Sequence, residues 1–276
     1  MPIKDKPTFA YALSGLVAVL SAVSSVVGLL YGGSGYYDSY PVSLAGLVGQ
    51  DVVTLVLGIP LLLTSMWLTR RGSTGALLVW AGALFYFAYS YYFYVIGGFN
   101  ALFLVYIAIV SASLYGMLSL LFAIDTQALR ARFGPKAPTR LAGGFFVGIS
   151  LLFLLMWGGM AVSSAAAGAR PDEVLRSVVV IDCTVLLPLL FFGGLMLWRG
   201  EAWGHVLGGL LLTKLAMTGS TLAFSTALGA LWAGRIGGFD AFLLVVFSLM
   251  AIGALLLIFP YLRSIAGEGS RADLRR

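Results

Sequence analysis

Two charged side chains lie clearly inside long apolar runs of this sequence, Lys214 and Asp182. Lys214 follows Gly204 by ten residues, which on a helix places it roughly 15 Å into an apolar core about 30 Å thick. A charged lysine at that depth costs about 3 kcal/mol on insertion scales, so it should face protein or water. It is either a contact for a substrate or ion, or a structural residue that snorkels or forms an ion pair.

Two carboxylates are candidate partners for this lysine. Asp182 is the first, about five residues inside the outer end of its apolar run and therefore roughly 8 Å deep. Asp51, in the outer part of the second apolar run, is the alternative. A close pair offsets part of the desolvation cost of each charge. The sequence therefore predicts a candidate ligand or ion site at Lys214, Asp182 and Asp51, or a structural pair of the same residues.

The third apolar run is rich in tyrosine. Tyr86 and Tyr89 lie deep enough that each hydroxyl needs a partner, and we include both in the candidate site. Tyr91, Tyr92 and Tyr94 lie nearer the outer end, and their position predicts an interfacial aromatic belt.

Pro60 and Pro188 each interrupt an apolar run that is otherwise long enough for a helix. A proline removes one backbone hydrogen bond and clashes with the carbonyl four residues earlier, so both positions predict helix kinks. Kinks at matching places in two halves point to a transporter site, but helix shaping alone is an equally good explanation.

Other chemistries are poorly represented. The single histidine, His205, and the single cysteine, Cys183, do not suffice for a bis-histidine haem, a multi-histidine metal site or an internal disulfide. Phosphate-binding, dinucleotide, zinc-protease and nucleophile-elbow motifs are missing from the sequence, which disfavours an enzyme. The basic residues are scattered among short loops, which disfavours nucleic acid as a partner. The sequence predicts no metal and no cofactor.

The elements that position these residues are membrane-spanning helices. The chain has 276 residues, of which 60% are hydrophobic and 10% charged, whereas a soluble domain has roughly a quarter charged. The runs are continuous rather than alternating, so the prediction is an all-α bundle in one membrane domain, residues 1–276, with the lipid bilayer as its partner. Eight spans are predicted, at about 8–31, 43–69, 75–96, 100–124, 141–163, 177–198, 204–229 and 240–262.

The distribution of lysine and arginine predicts the orientation. With the N-terminus inside, thirteen basic residues fall on the inner side: Lys4, Lys6, Arg70, Arg71, Arg130, Arg132, Lys136, Arg140, Arg199, Arg263, Arg271, Arg275 and Arg276. Three fall on the outer side: Arg170, Arg176 and Arg235. This asymmetry predicts a protein of the cell membrane with both termini in the cytoplasm.

The chain also shows an internal repeat. Pro60-Leu-Leu and Arg71-Gly72 recur as Pro188-Leu-Leu and Arg199-Gly200, at an offset of 128 residues. The segment Gly97–Ala101 recurs, with one substitution, at Gly237–Ala241, at an offset of 140. We predict two parallel four-helix halves, 8–124 and 141–262, joined by a basic cytoplasmic link, 125–140.

Several short segments resemble a group of functionally uncharacterised prokaryotic multipass membrane proteins. The segments are Gln50-Asp51, Pro60-Leu-Leu-Leu, Arg71-Gly-Ser, Trp80 with the tyrosine-rich run, and Asp182 with Leu186-Leu-Pro-Leu-Leu and Lys214. The resemblance covers most of the chain and implies a repeated helical membrane architecture, but it implies nothing about a substrate.

Two classes of function fit these features. The first is a transporter or permease for a small solute or ion, with a charged site between the two halves. The second is a non-transporting accessory subunit or sensor in which the same charges hold helices together. A cavity that reaches Lys214 from one side favours the first class, and a dry, closed ion pair favours the second.

Overall fold

The computed structural model describes residues 1–4, 6–40, 43–169 and 173–265. For residues 173–175 it describes the backbone alone. The α-helices in these ranges are α1 Thr8–Tyr31, α2 Leu44–Val53, α3 Ile59–Arg70, α4 Thr74–Gly97, α5 Phe103–Ala123, α6 Thr126–Arg130, α7 Thr139–Ala166, α8 Glu173–Ile181, α9 Leu187–Trp198, α10 Ala202–Ala233 and α11 Gly238–Arg263.

Eight segments of the described chain are long and apolar enough to cross a membrane, which confirms the predicted all-α bundle of eight spans. They are Thr8–Ser34, Leu44–Arg70, Thr74–Gly97, Phe103–Ala123, Thr139–Ala166, Arg176–Trp198, Ala202–Ala233 and Gly238–Arg263. Each contains most of one predicted span, and their ends differ from the predictions by a few residues.

The second and sixth spans are each divided by a π-helical turn, Thr54–Gly58 and Asp182–Leu186. Pro60 and Pro188 follow as the second residues of α3 and α9. The wider π turn suits this place because a proline cannot donate to the preceding turn and crowds its carbonyl. The two turns are 128 residues apart, the offset found in the sequence, which is a further match between the halves. The duplication and the kinks stay predictions.

Helices α4 and α10 form the centre of the bundle. Their most apolar windows are both 78% buried, against 22–39% for the other spans. Their mean hydropathies are 1.3 and 1.4, against 2.0 or more elsewhere, because they face protein rather than lipid. Glycine allows them to approach closely: a Cβ on Gly82 would lie 2.5 Å from the Leu210 carbonyl oxygen. The polar residues of both helices are therefore enclosed by the bundle.

The predicted link 125–140 lies at the basic end of the bundle and is partly folded. Asp125 accepts a hydrogen bond from the Ala128 amide and so caps α6. The Phe133 ring packs between His205 of α10 and Tyr261 of α11, with ring centres 4.7 and 5.0 Å away. The link thus joins the start of α10 to the end of α11.

Candidate functional site

A cavity of about 560 Å³ lies between the two central helices, α2 and the neighbouring helices of the second half. Its wall is formed by α2, α4, α7, α10, α11 and the sixth span. At one end it reaches Ser43, before α2, and the exposed Asp240 in the first turn of α11. At the other end it reaches Lys214 and Leu190. The cavity therefore runs from the loops opposite the basic end to the middle of the bundle.

Lys214 contributes to the deep wall of this cavity and is fully buried. Its Nζ atom has no hydrogen-bond partner among the described residues. The atom lies 3.8 Å from the centre of the Tyr89 ring and 5.9 Å from that of Phe85. Cation–π contact with these rings offsets part of the desolvation cost of the amino group. An amino group with up to three free donors in an apolar interior is an unusual and costly arrangement.

Asp182, the first residue of the second π turn, is also buried and lines the same cavity. The Tyr89 hydroxyl donates to its Oδ1 at 2.7 Å, and the Trp157 indole N–H donates to its Oδ2 at 2.9 Å. The carboxylate is thus satisfied by neutral donors, and within the described chain Lys214 makes no ion pair with it at 4.0 Å or less. Tyr89 connects the two charges, with its ring against Lys214 and its hydroxyl on Asp182.

The cavity-facing side of α10 carries a polar stripe on the C-terminal side of Lys214. Thr218, Thr221 and Ser225 follow at helical spacing, and all three line the cavity. The Thr218 hydroxyl, one turn from Lys214, is buried and has no hydrogen-bond partner among the described residues. Two unpaired polar groups therefore lie on one wall of one cavity.

Tyr86 lies behind this wall rather than in the cavity. Its hydroxyl accepts a hydrogen bond from the Gln50 amide at 2.8 Å and lies 3.0 Å from the Thr221 hydroxyl. Gln50 and Thr221 themselves line the cavity. Tyr86 thus orients two wall residues that come from α2 and α10.

Asp51 lies in a separate polar cluster beside α1. Its carboxylate accepts hydrogen bonds from Tyr37 at 2.6 Å and Tyr94 at 3.3 Å. Gly28 of α1 leaves room for this contact, because a Cβ there would collide with the Tyr37 hydroxyl and the carboxylate. Burial and the neighbouring carboxylate raise the pKa of Tyr37, a loop residue, far above its usual value, so Tyr37 remains a donor. The structure therefore brings Lys214, Asp182 and Tyr89 together and does not bring Asp51 to them.

The predicted aromatic belt is wrong for two of its three members. Tyr91 and Tyr94 are buried, and their hydroxyls bond to Ser24 and to Asp51 respectively. Their helix α4 is central, so its C-terminal part faces other helices instead of lipid. Trp157 was missed by sequence reasoning because indole donors in apolar runs carry no positional signal.

The fold and the composition define a multipass helical membrane protein. Comparison of the chain with protein-family models, curated proteins and solved structures gives no match. The resemblance to uncharacterised prokaryotic membrane proteins therefore stays a prediction.

Proposed function

We propose that this protein is a transporter or permease for a small solute, with Lys214, Asp182 and Tyr89 at the deep end of its binding cavity. The observation that supports this most strongly is the cavity itself, which leads from one end of the bundle to a buried amino group that has no hydrogen-bond partner in the described part of the chain. Pockets of about 300–1,000 Å³ with a few polar groups in an apolar lining are typical of small-molecule sites. Ionisable residues inside a membrane bundle commonly mark substrate or ion pathways.

On the other side of Lys214, α10 is enclosed by packed side chains. Helix α10 continues for twelve residues from Lys214 back to Ala202, which is roughly 18 Å of helix. Along this stretch Val206, Leu210 and Leu211 are buried at 1% exposure or less. A cavity open at one end and blocked at the other is one of the two states that alternating access requires.

We place the protein in the cell membrane with both termini in the cytoplasm, and the cavity then opens to the outside. Ten of the thirteen basic residues assigned to the inner side lie in described segments at one end of the helices. Arg271, Arg275 and Arg276 of that set, and Arg170 of the outer set, lie outside the described residues. The small solute and the lipid bilayer are the partners in this proposal.

The internal repeat indicates how the protein could change between its two open states. At the offset of 128 residues, Lys214 corresponds to Tyr86 and Asp182 corresponds to Thr54, the first residue of the other π turn. Equivalent positions of the two halves thus carry polar residues around the crossing of α4 and α10. We propose that the halves rock against each other around these positions, and that the π turns before Pro60 and Pro188 absorb the change.

Cysteine accessibility tests alternating access. In a Cys183→Ser background, Leu222→Cys lies on the cavity wall, and Leu207→Cys lies on the same side of α10 but on the closed side of Lys214. A transporter should allow an impermeant thiol reagent to reach Leu222→Cys from the outer side and Leu207→Cys from the inner side in inverted vesicles. Labelling of the first position with none of the second contradicts transport.

The second candidate is a non-transporting accessory subunit or sensor. The observation that favours it is that Lys214 Nζ is covered by the Tyr89 ring and has no exposed surface. In that case the charges fix the packing of α4, α10 and the sixth span, and Leu207→Cys remains unlabelled from either side.

A further inference from the structure

We infer that the cavity takes an amphipathic organic anion, with a carboxylate held by Lys214 and Thr218 and an apolar or aromatic body. This inference rests on the proposed role of the cavity as a solute site, and it names the chemical class of that solute. It follows from three properties of the cavity: its unpaired hydrogen-bonding groups, its lining and the positions of its charges.

The unpaired groups in the wall both carry donors. Each oxygen of Asp182 already accepts a hydrogen bond, from Tyr89 or from Trp157. By contrast, the Lys214 amino group and the Thr218 hydroxyl have no hydrogen-bond partner among the described residues. A ligand that satisfies the site must therefore bring acceptors. A carboxylate supplies two oxygens and forms a charge-assisted hydrogen bond with a protonated lysine, which is roughly twice as strong as a neutral one.

The rest of the lining fits an apolar body. Aromatic side chains dominate the middle of the cavity, where Phe93, Phe153, Trp157 and Phe247 contribute to the wall. Leucine, isoleucine and methionine side chains from α7, α9, α10 and α11 complete it. A volume of about 560 Å³ is ample for a ring with a short chain. The polar stripe of Thr218, Thr221 and Ser225 lies on α10, whereas the aromatic and aliphatic walls on α7, α9 and α11 would leave the polar groups of a strongly hydrophilic solute unpaired.

The charges of the cavity set the direction of the ligand. Among the described lining residues Lys214 is the one cation, and it lies at the deep end, near the Asp182 carboxylate, whose two oxygens are held by Tyr89 and Trp157. Asp240 lies at the mouth and is exposed to solvent. An anion therefore binds with its carboxylate inward and its apolar body toward the mouth. Contact with Nζ requires the Tyr89 ring, now 3.8 Å away, to move aside, which makes Tyr89 the residue that admits the carboxylate.

The test uses three ligands that share one body and differ in the head group: 4-phenylbutyrate, 4-phenylbutanol and 4-phenylbutylamine. Their binding to the purified full-length protein in nanodiscs is measured by calorimetry. The acid should bind about tenfold or more tightly than the alcohol, and the amine most weakly. Lys214→Met should weaken binding of the acid by about tenfold or more and leave that of the alcohol within about twofold. Lys136→Met, in the basic link, is the matched control and should change neither.

Thr218→Val keeps the shape of its side chain and serves if Lys214→Met does not fold. It should weaken binding of the acid several-fold and leave that of the alcohol unchanged. Equal binding of acid and alcohol, preference for the amine, no binding of any of the three, or full affinity of the acid for Lys214→Met each overturns the inference. Acid-selective binding without labelling of Leu207→Cys from the inner side keeps this inference and overturns transport. Labelling of Leu222→Cys from the outer side and of Leu207→Cys from the inner side, without tighter binding of the acid than of the alcohol, keeps transport and overturns this inference.

Discussion

Loss of one charge from the middle of the bundle should destabilise the protein more than loss of both. Asp182→Asn keeps the shape of the side chain but leaves Lys214 buried without a nearby negative charge. Lys214→Met keeps the apolar stem and removes the cation above Tyr89. The double variant has neither charge, so each single substitution leaves a penalty that the second one relieves.

The size of this coupling follows from the geometry. Removal of one partner of a directly bonded buried pair costs about 3–5 kcal/mol. Here the Tyr89 ring and hydroxyl stand between the charges. Unit charges about 4 Å apart at an effective dielectric constant of about 20 interact by about 4 kcal/mol, and these two described charges do not come within 4.0 Å of each other. We therefore expect a coupling energy of about 2–3 kcal/mol. At about 2–4 °C per kcal/mol, the range for domains of 150–250 residues, this corresponds to roughly 4–12 °C in Tm.

Thermal unfolding of the four proteins in one detergent, analysed as a double-mutant cycle, measures the coupling. Tyr89→Phe is a further variant to measure, because it keeps the ring against Lys214 and removes the hydroxyl that donates to Asp182. It should lower stability by about 1–3 kcal/mol, whereas the half-buried Tyr92→Phe should have little effect. A double variant whose loss equals the sum of the two single losses would refute the idea that these charges interact.

The remaining predictions concern packing, topology and symmetry. Gly28→Ala should lower stability by about 1–3 kcal/mol in thermal unfolding, because the new Cβ breaks the tyrosine–carboxylate hydrogen bond beside α1, whereas Gly15→Ala in the same helix meets open space and should cost nothing. In a Cys183→Ser background, Ser73→Cys and Ala137→Cys should be protected from an impermeant thiol reagent added outside intact cells; labelling of both would reverse the orientation. Electron cryomicroscopy should show that the two four-helix halves superpose with the two post-π-turn prolines aligned, and a different helix order or direction in the second half would make the repeat a chance match.

The spans could be predicted because lipid imposes a strong and local rule. Helix length and continuous apolarity locate each of the eight spans within a few residues. Lys214 and Asp182 could also be identified, since a charge inside an apolar run has no ordinary explanation. The need of the Tyr89 hydroxyl for a partner was predictable as well. That the partner is Asp182 could not be known, because it depends on how α4 packs against the sixth span.

The rest of the site depends on contacts between distant parts of the chain. Trp157 reaches Asp182 from α7, and Tyr37 reaches Asp51 from the loop before α2. No local pattern marks either contact. Hydropathy alone also does not say which helices are central, although the lower values of α4 and α10 were a usable signal. The polar stripe from Lys214 through Thr218 to Ser225 was likewise visible at helical spacing.

Chemical access to position 214 tests the central claim most directly. In the Cys183→Ser background, Lys214→Cys should react with a small, membrane-impermeant thiosulfonate added on the cavity side, and 4-phenylbutyrate should slow the reaction. Leu212→Cys, two residues away on α10 and fully buried outside the cavity lining, is the control and should not react. A Lys214→Cys protein that reacts no faster than the Leu212→Cys control would contradict a solute site at Lys214.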